Sequence, residues 1–247
     1  MTLTSSRPAT PDSYVPSRRT VLRAAAWTAP AVSVAVAVPA YAACSPASTK
    51  PSSYALSWGS GVYTRASAAS GTAVVPGAAV GAQPVSVVVT SSVSSSRVNR
   101  TAQNLLASSQ GLELHHASPI VAGRDHRQTV TFTFSRSVSG LTFSIKDVDS
   151  SQGGWWDRVE LTGARKFEVA PRGRRNTHIL GSGVQGAPWY YYDSDTVLPN
   201  SGDSRGTVTV TYTEPVSSIS LVYWTSVGGS NQRIWLSDFS FTASSCA

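Results

Sequence analysis

The chain has 247 residues, 20 Lys and Arg against 13 Asp and Glu, a formal net charge of +7 and 41% hydrophobic residues. Four of those basic residues and one acidic residue lie in the first 42, so the remaining 205 or so residues carry a net +4 and can bury one substantial core. That modest charge excludes a required nucleic-acid partner. No stretch near the N-terminus reaches the roughly twenty predominantly apolar residues of a permanent membrane anchor.

The first element in chain order is a leader. A polar start is followed by Ser17-Arg18-Arg19-Thr20-Val21-Leu22-Arg23, then by a mildly apolar segment over 24–38 that contains Trp27, Thr28, Pro30 and Ser33 and is stopped by Pro39. Ala40-Tyr41-Ala42 is a small-x-small cleavage site, which marks the segment as removable. The run from Ser17 to Arg23 resembles a twin-arginine (Tat) export signal, with Val21 where that family usually has Phe and Arg23 where it has Lys. The resemblance covers residues 1–42 and is actinobacterial in style. It implies that Arg18 and Arg19 address the Tat translocon, that the cargo folds in the cytoplasm, and that the mature chain, residues 43–247, is secreted.

Two cysteines frame the mature chain, Cys44 and Cys246. In an oxidising compartment they form one bridge, worth on the order of 5 kcal/mol in the chain-entropy account of so long a loop. The competing reading makes Tyr41-Ala42-Ala43-Cys44 a lipoprotein processing site, but Tyr41 stands where such sites carry Leu, and the bridge is favoured.

Beyond the leader, apolar residues alternate with Ser and Thr at period two, which predicts strands over 54–58, 62–65, 85–93, 112–116, 128–134, 141–146, 158–162, 167–170, 189–192, 207–212, 217–224 and 233–241. Residues 43–53 and 64–84 are rich in Ala, Ser, Gly and Pro and predict irregular connections; 99–109 is the one short helix candidate. Residues 129–141 echo 207–219, each reading as strand, tight turn, strand. Val130, Phe132, Phe134, Leu141, Phe143, Ile145, Val208, Val210, Tyr212, Ile219, Leu221 and Tyr223 are the expected core faces. The fold class is all-β, a two-sheet antiparallel sandwich or jelly roll in one domain.

Three constellations carry chemistry. Asp147, Asp149 and Asp157 fall in one loop, and Asp238 in the last strand is a fourth candidate; close carboxylates relieve repulsion by sharing Ca2+, whereas the competing reading gives them to turns through their own backbone. Trp155 and Trp156, with Trp189 and Tyr191, offer rings that stack on sugar faces, although any one ring can equally be core. On an extended segment Trp155 and Trp156 face opposite ways, so at least one stands outside the core. Arg165, Lys166, Arg172, Arg174 and Arg175 form a basic hairpin tip suited to solvent or to an anionic wall polymer.

Signs of catalysis are sparse. His115 and His116 flank no acidic partner, His126 lies between Arg124 and Arg127, and no zinc-protease helix pattern or serine elbow is present. Asp157 and Glu160 are the one conceivable glycosidase pair.

Residues 110–242, with their aromatic loops and the closing Ile234-Trp235-Leu236-Ser237-Asp238-Phe239-Ser240-Phe241, resemble jelly-roll carbohydrate-binding modules of galactose-binding-like fold. The resemblance implies Asp238 as a ligand of a structural calcium and Trp155, Trp156, Trp189 and Tyr191 as sugar-facing rings. The expected function is a secreted, non-catalytic module for a cell-wall or environmental polysaccharide. Its rivals are a structural surface protein without glycan binding and a hydrolase, which would need a pocket holding paired carboxylates or a histidine beside an acid.

Overall fold

A computed structural model describes residues 50–163, 166–169, 178–193, 197–198 and 202–245. Arg18, Arg19, Cys44, Cys246 and, apart from Lys166, the basic tip lie outside the described residues. In chain order the strands are β1 (Lys50–Leu56), β2 (Tyr63–Arg65), β3 (Ser70–Val75), β4 (Val85–Val93), β5 (Ala107–Ser108), β6 (Gly111–His116), β7 (Gln128–Lys146) and β8 (Ser150–Ser151). They continue with β9 (Trp155–Thr162), β10 (Phe167–Val169), β11 (Ile179–Leu180), β12 (Tyr190–Tyr191), β13 (Val208–Tyr212), β14 (Val216–Thr225), β15 (Gln232–Leu236) and β16 (Phe239–Ser245). Among the described residues there is no α-helix, and none is long and apolar enough to cross a membrane.

The architecture is an all-β antiparallel sandwich. One layer runs β2-β3-β4-β7-β14-β9-β8. In the other, β13 joins β10 to the second half of β7, whose opposite edge takes β15 and then β16; these in turn pair with β6 and β1. A separate small sheet pairs β11 with β12.

β7 explains how the layers join. Its first half pairs with β4 and β14, and its second half with β13, β15 and β16. The strand therefore bends from one sheet into the other around Ser135–Gly140, where the inward-outward alternation breaks and Gly140 takes φ 62°. The repeated strand-turn-strand motif is a corner in both copies, since β13 and β14 also sit in different layers. Local sequence could not separate a corner from a hairpin, because both need two runs of period two and a short break.

The interior is fixed by alternation. All twelve expected core residues are buried, joined by Trp58, which meets Tyr63 and Phe239 edge-on at centroid distances of 5.3 and 5.1 Å. Between the layers lies a polar seam: His116 Nε2 and Gln128 Oε1 are 2.7 Å apart, and Gln128 Nε2 donates to Ser91 Oγ and Asn104 Oδ1. Burial drives the His116 imidazole down to about 4, so it is neutral in this seam.

Three expectations are corrected here. β1 already begins at Lys50, inside the 43–53 stretch expected to be irregular. Residues 64–84 contain β3, whose small residues hide a regular pattern with Gly71, Ala73 and Val75 inward. The helix candidate over 99–109 is a series of turns leading into β5, in keeping with its Ser-rich surroundings.

Candidate functional site

Asp147 follows the last residue of β7 and takes φ 66°, a left-handed conformation that Asp tolerates better than most side chains. The chain then runs through Asp149 into β8, turns at Gly153-Gly154 and returns in β9 with Ser150 opposite Trp156 and Ser151 opposite Trp155. That register places Asp157 back against Asp149, whose carbonyl accepts the Asp157 N–H at 3.1 Å. The tip of this hairpin packs on the β14–β15 loop. Ser230 N–H donates to the Gly154 carbonyl, and a Cβ on Gly229 would come within 2.4 Å of the Gly153 and Gly154 carbonyl oxygens, so only glycine allows the approach.

The result is a cavity of about 390 Å³. Asp147 and Asp149 line it together with Trp155 and, from the β14–β15 connection, Ser230 and Asn231. Val197 and Leu198 give it an apolar side, and Arg233 and His115, directly paired across β15 and β6, complete the wall. The sequence placed the three aspartates in one loop; the pairing of β8 with β9 that folds this stretch into a hairpin is seen in the structure. The contributions of His115, Asn231 and Arg233 were not, because they depend on pairing between strands more than a hundred residues apart.

His115 does have an acidic partner, contrary to expectation. Glu113 Oε1 lies 3.2 Å from His115 Nδ1, and Gln103 Oε1 lies 2.8 Å from the same nitrogen. The signal was available, since residues two apart on a strand share a face.

Each carboxyl has its own environment. Asp149 Oδ1 accepts the Trp155 indole N–H at 2.6 Å and Oδ2 the Leu198 N–H at 2.8 Å. Asp157 is fully enclosed; its Oδ1 accepts the Tyr223 hydroxyl at 2.9 Å and its Oδ2 the Asp149 N–H at 3.2 Å. Asp147 is 7% exposed, and its Oδ1 is buried with no hydrogen-bond partner. Burial, reinforced by the neighbouring Asp149 charge, lifts Asp147 to about 7. Burial lifts Asp149 to about 6 against its two N–H donors, and lifts Asp157 well above the carboxylate range.

Calcium takes six to eight oxygens. Four of the six carboxyl oxygens of Asp147, Asp149 and Asp157 are already engaged by donors of the chain. Among the described residues no group of three or more His, Cys, Asp or Glu side chains is placed to hold a metal ion. Asp238 leaves the set altogether: Leu236 pairs with Ile145 and Ser237 N–H binds the Ser144 carbonyl, which carries Asp238 away along β7 from Asp147. There its Oδ1 accepts the Trp58 N–H at 3.0 Å. Asp238→Ala is therefore expected to lower the unfolding free energy by about 1 kcal/mol and to leave any response to calcium unchanged, as urea unfolding with and without the ion would read.

The four rings do not share one exposed face. Trp155 and Trp156 are both half-buried and point to opposite faces of β9, as an extended segment requires. Trp155 lines the cavity. Trp156 donates its indole N–H to the Tyr191 carbonyl at 3.0 Å and lies under the Arg158 guanidinium, 4.3 Å from its centroid; Tyr190 takes the same guanidinium at 4.5 Å. Trp189 and Tyr191 are core, 0% and 1% exposed, so neither presents a face to a sugar. Trp189 bridges to Val159 and meets Phe167 edge-on, because the 178–193 segment folds its dense aromatic run back over β9.

The supposed catalytic pair also dissolves. Asp157 and Glu160 stand three apart on β9 and so face opposite ways, and Glu160 is locked to Arg124, Nη2 to Oε2 at 2.8 Å.

Fold and site together define the class: a two-layer β-sandwich with an acidic, aromatic-walled cavity where loops from both layers converge. No family model, curated protein or solved structure matches the chain.

Proposed function

We propose that this protein is a secreted, non-catalytic binding module for a cell-wall or environmental polysaccharide, exported by its twin-arginine leader, and that it seats one sugar unit in the cavity beside Trp155. One observation carries the reading: an indole, two carboxyls, a guanidinium and an amide converge on a cavity of about 390 Å³, within the roughly 300–1,000 Å³ of small-ligand sites. An amphipathic ring packs on the indole while Asp149, Asn231 and Arg233 engage its hydroxyl rim.

The test is retention of the purified protein on cell-wall glycan, chitin and cellulose, repeated after chelation. Trp155→Ala is expected to weaken retention about tenfold, equivalent to about 1.4 kcal/mol. Equal failure on every polymer favours a surface protein without glycan binding, and loss on chelation restores a bound cation. The hydrolase rival has a cavity with two carboxyls and a histidine beside Glu113 in its favour. Its signature is the release of reducing ends from the same polymers, and none is expected.

A further inference from the structure

We infer that the sugar unit recognised here carries a free primary amine, so that the protein selects an amino-sugar polymer with unacylated nitrogen. This rests on the polysaccharide reading and narrows it. Asp147 lines the cavity with a carboxyl the chain leaves under-bonded: the residue is only 7% exposed, and its Oδ1, closed off from solvent, has no donor, so the outer oxygen is the one that meets a ligand. An isolated buried carboxylate is costly, so the free protein keeps a proton on Asp147 up to about 7; a cation that also donates hydrogen bonds takes the place of that proton, which is released to solvent, and stabilises the carboxylate.

The cation already present does not play this part. Arg233 lines the same cavity, yet its guanidinium lies over the Trp235 ring, 4.9 Å from the centroid, and no ion pair joins it to Asp147 or Asp149 among the described residues. Its charge acts on both carboxyls only through space. A sugar hydroxyl has one proton to give. A protonated amine has three and a full charge, enough to answer Asp147 and reach Asp149, whose own oxygens each hold only one donor. Trp155, fixed by its N–H bond to Asp149, adds an indole to the same wall, and carboxylates beside an indole are the surroundings that ammonium groups favour. An N-acetylated nitrogen carries neither the charge nor the extra protons, and it brings a carbonyl oxygen toward carboxyl oxygens.

The experiment titrates the full mature chain with three oligosaccharides of equal length, from glucosamine, N-acetylglucosamine and glucose, at a pH where the amine is protonated. Isothermal calorimetry gives the affinities. The glucosamine oligomer is expected to bind at least about tenfold tighter than either other, and added salt should erode that advantage. Asp147→Asn should bring it down to the level of the neutral sugars; Asn also tolerates the left-handed backbone at this position, and urea unfolding confirms that the variant is folded. Arg233→Ala, which removes a contact to the hydroxyl rim together with a like charge, should weaken the neutral oligomers more than the glucosamine oligomer and so widen the preference. Equal affinity for aminated and neutral oligomers, or an unchanged preference in Asp147→Asn, overturns the inference and leaves polysaccharide binding standing. Failure to bind any of the three removes both.

Discussion

Raising the pH from 4 to 8 is expected to lower the unfolding free energy by several kcal/mol, with most of the loss complete by pH 7. The sign follows from proton counts. Asp147 and Asp149 titrate near the ordinary carboxylate value when unfolded but at about 7 and about 6 in the fold, and burial likewise holds Asp157 well above its ordinary value. Above pH 4 the native state therefore holds protons the unfolded chain has released, and stability falls as pH rises. The contribution of each carboxyl is fully present below about 4 and is lost by the time pH passes its folded value, every pH unit between the unfolded and folded values being worth about 1.4 kcal/mol. His116 acts in the other direction. Its imidazole is held down to about 4, so it withholds a proton that the unfolded chain binds below about 6.5. Three retained carboxyl protons outweigh one refused imidazole proton across the shared range, and above about 6.5 the histidine has no further effect. Urea unfolding at unit steps of pH reads the slope. In Asp147→Asn the curve should be flatter and the protein more stable than the parent at pH 8, because a buried charge without a donor has been removed. A parent curve that climbs between pH 4 and 8 would falsify the assignment of these carboxyls as buried and proton-retaining.

The fold was legible wherever one face of a strand is apolar and the other is Ser or Thr. The expected strand over 85–93 coincides with β4, and its register against β7 follows from which valines face inward. Legibility failed where side chains are small, as in β3, and where one strand serves two layers, as in β7. The clustering of Asp147, Asp149 and Asp157 was readable as one loop, but not the hairpin that turns at Gly153-Gly154 and sets Asp157 against Asp149. Asp238 misled for a related reason: a carboxylate in the last strand looks like a ligand until register shows that it lies against Trp58. Burial of rings was the least readable property. Trp155, Trp156, Trp189 and Tyr191 are alike in sequence context, and only the course of the 178–193 segment decides which are enclosed.

That distinction separates two tryptophan variants by their consequences. Trp189→Ala is expected to cost about 3–5 kcal/mol, a fifth or more of the roughly 5–15 kcal/mol that holds a typical domain together. Its ring is wholly enclosed, packs edge-on against Phe167 at 5.7 Å and lies on Gly183, where a Cβ would come within 2.3 Å of the indole. Nothing adjacent can fill the space: Gly183 contributes no side chain, and its φ of 73° resists a larger residue. Gly183→Ala should accordingly destabilise the domain in the same direction. Trp155→Ala removes a half-buried ring beside an open cavity, so water replaces the indole, and the principal loss is the N–H bond to Asp149, about 1 kcal/mol. Urea midpoints of the two variants should therefore differ widely, while polymer retention should suffer at Trp155 under conditions where the protein remains folded. Equal midpoints would place Trp189 outside the core and reopen it as a binding ring.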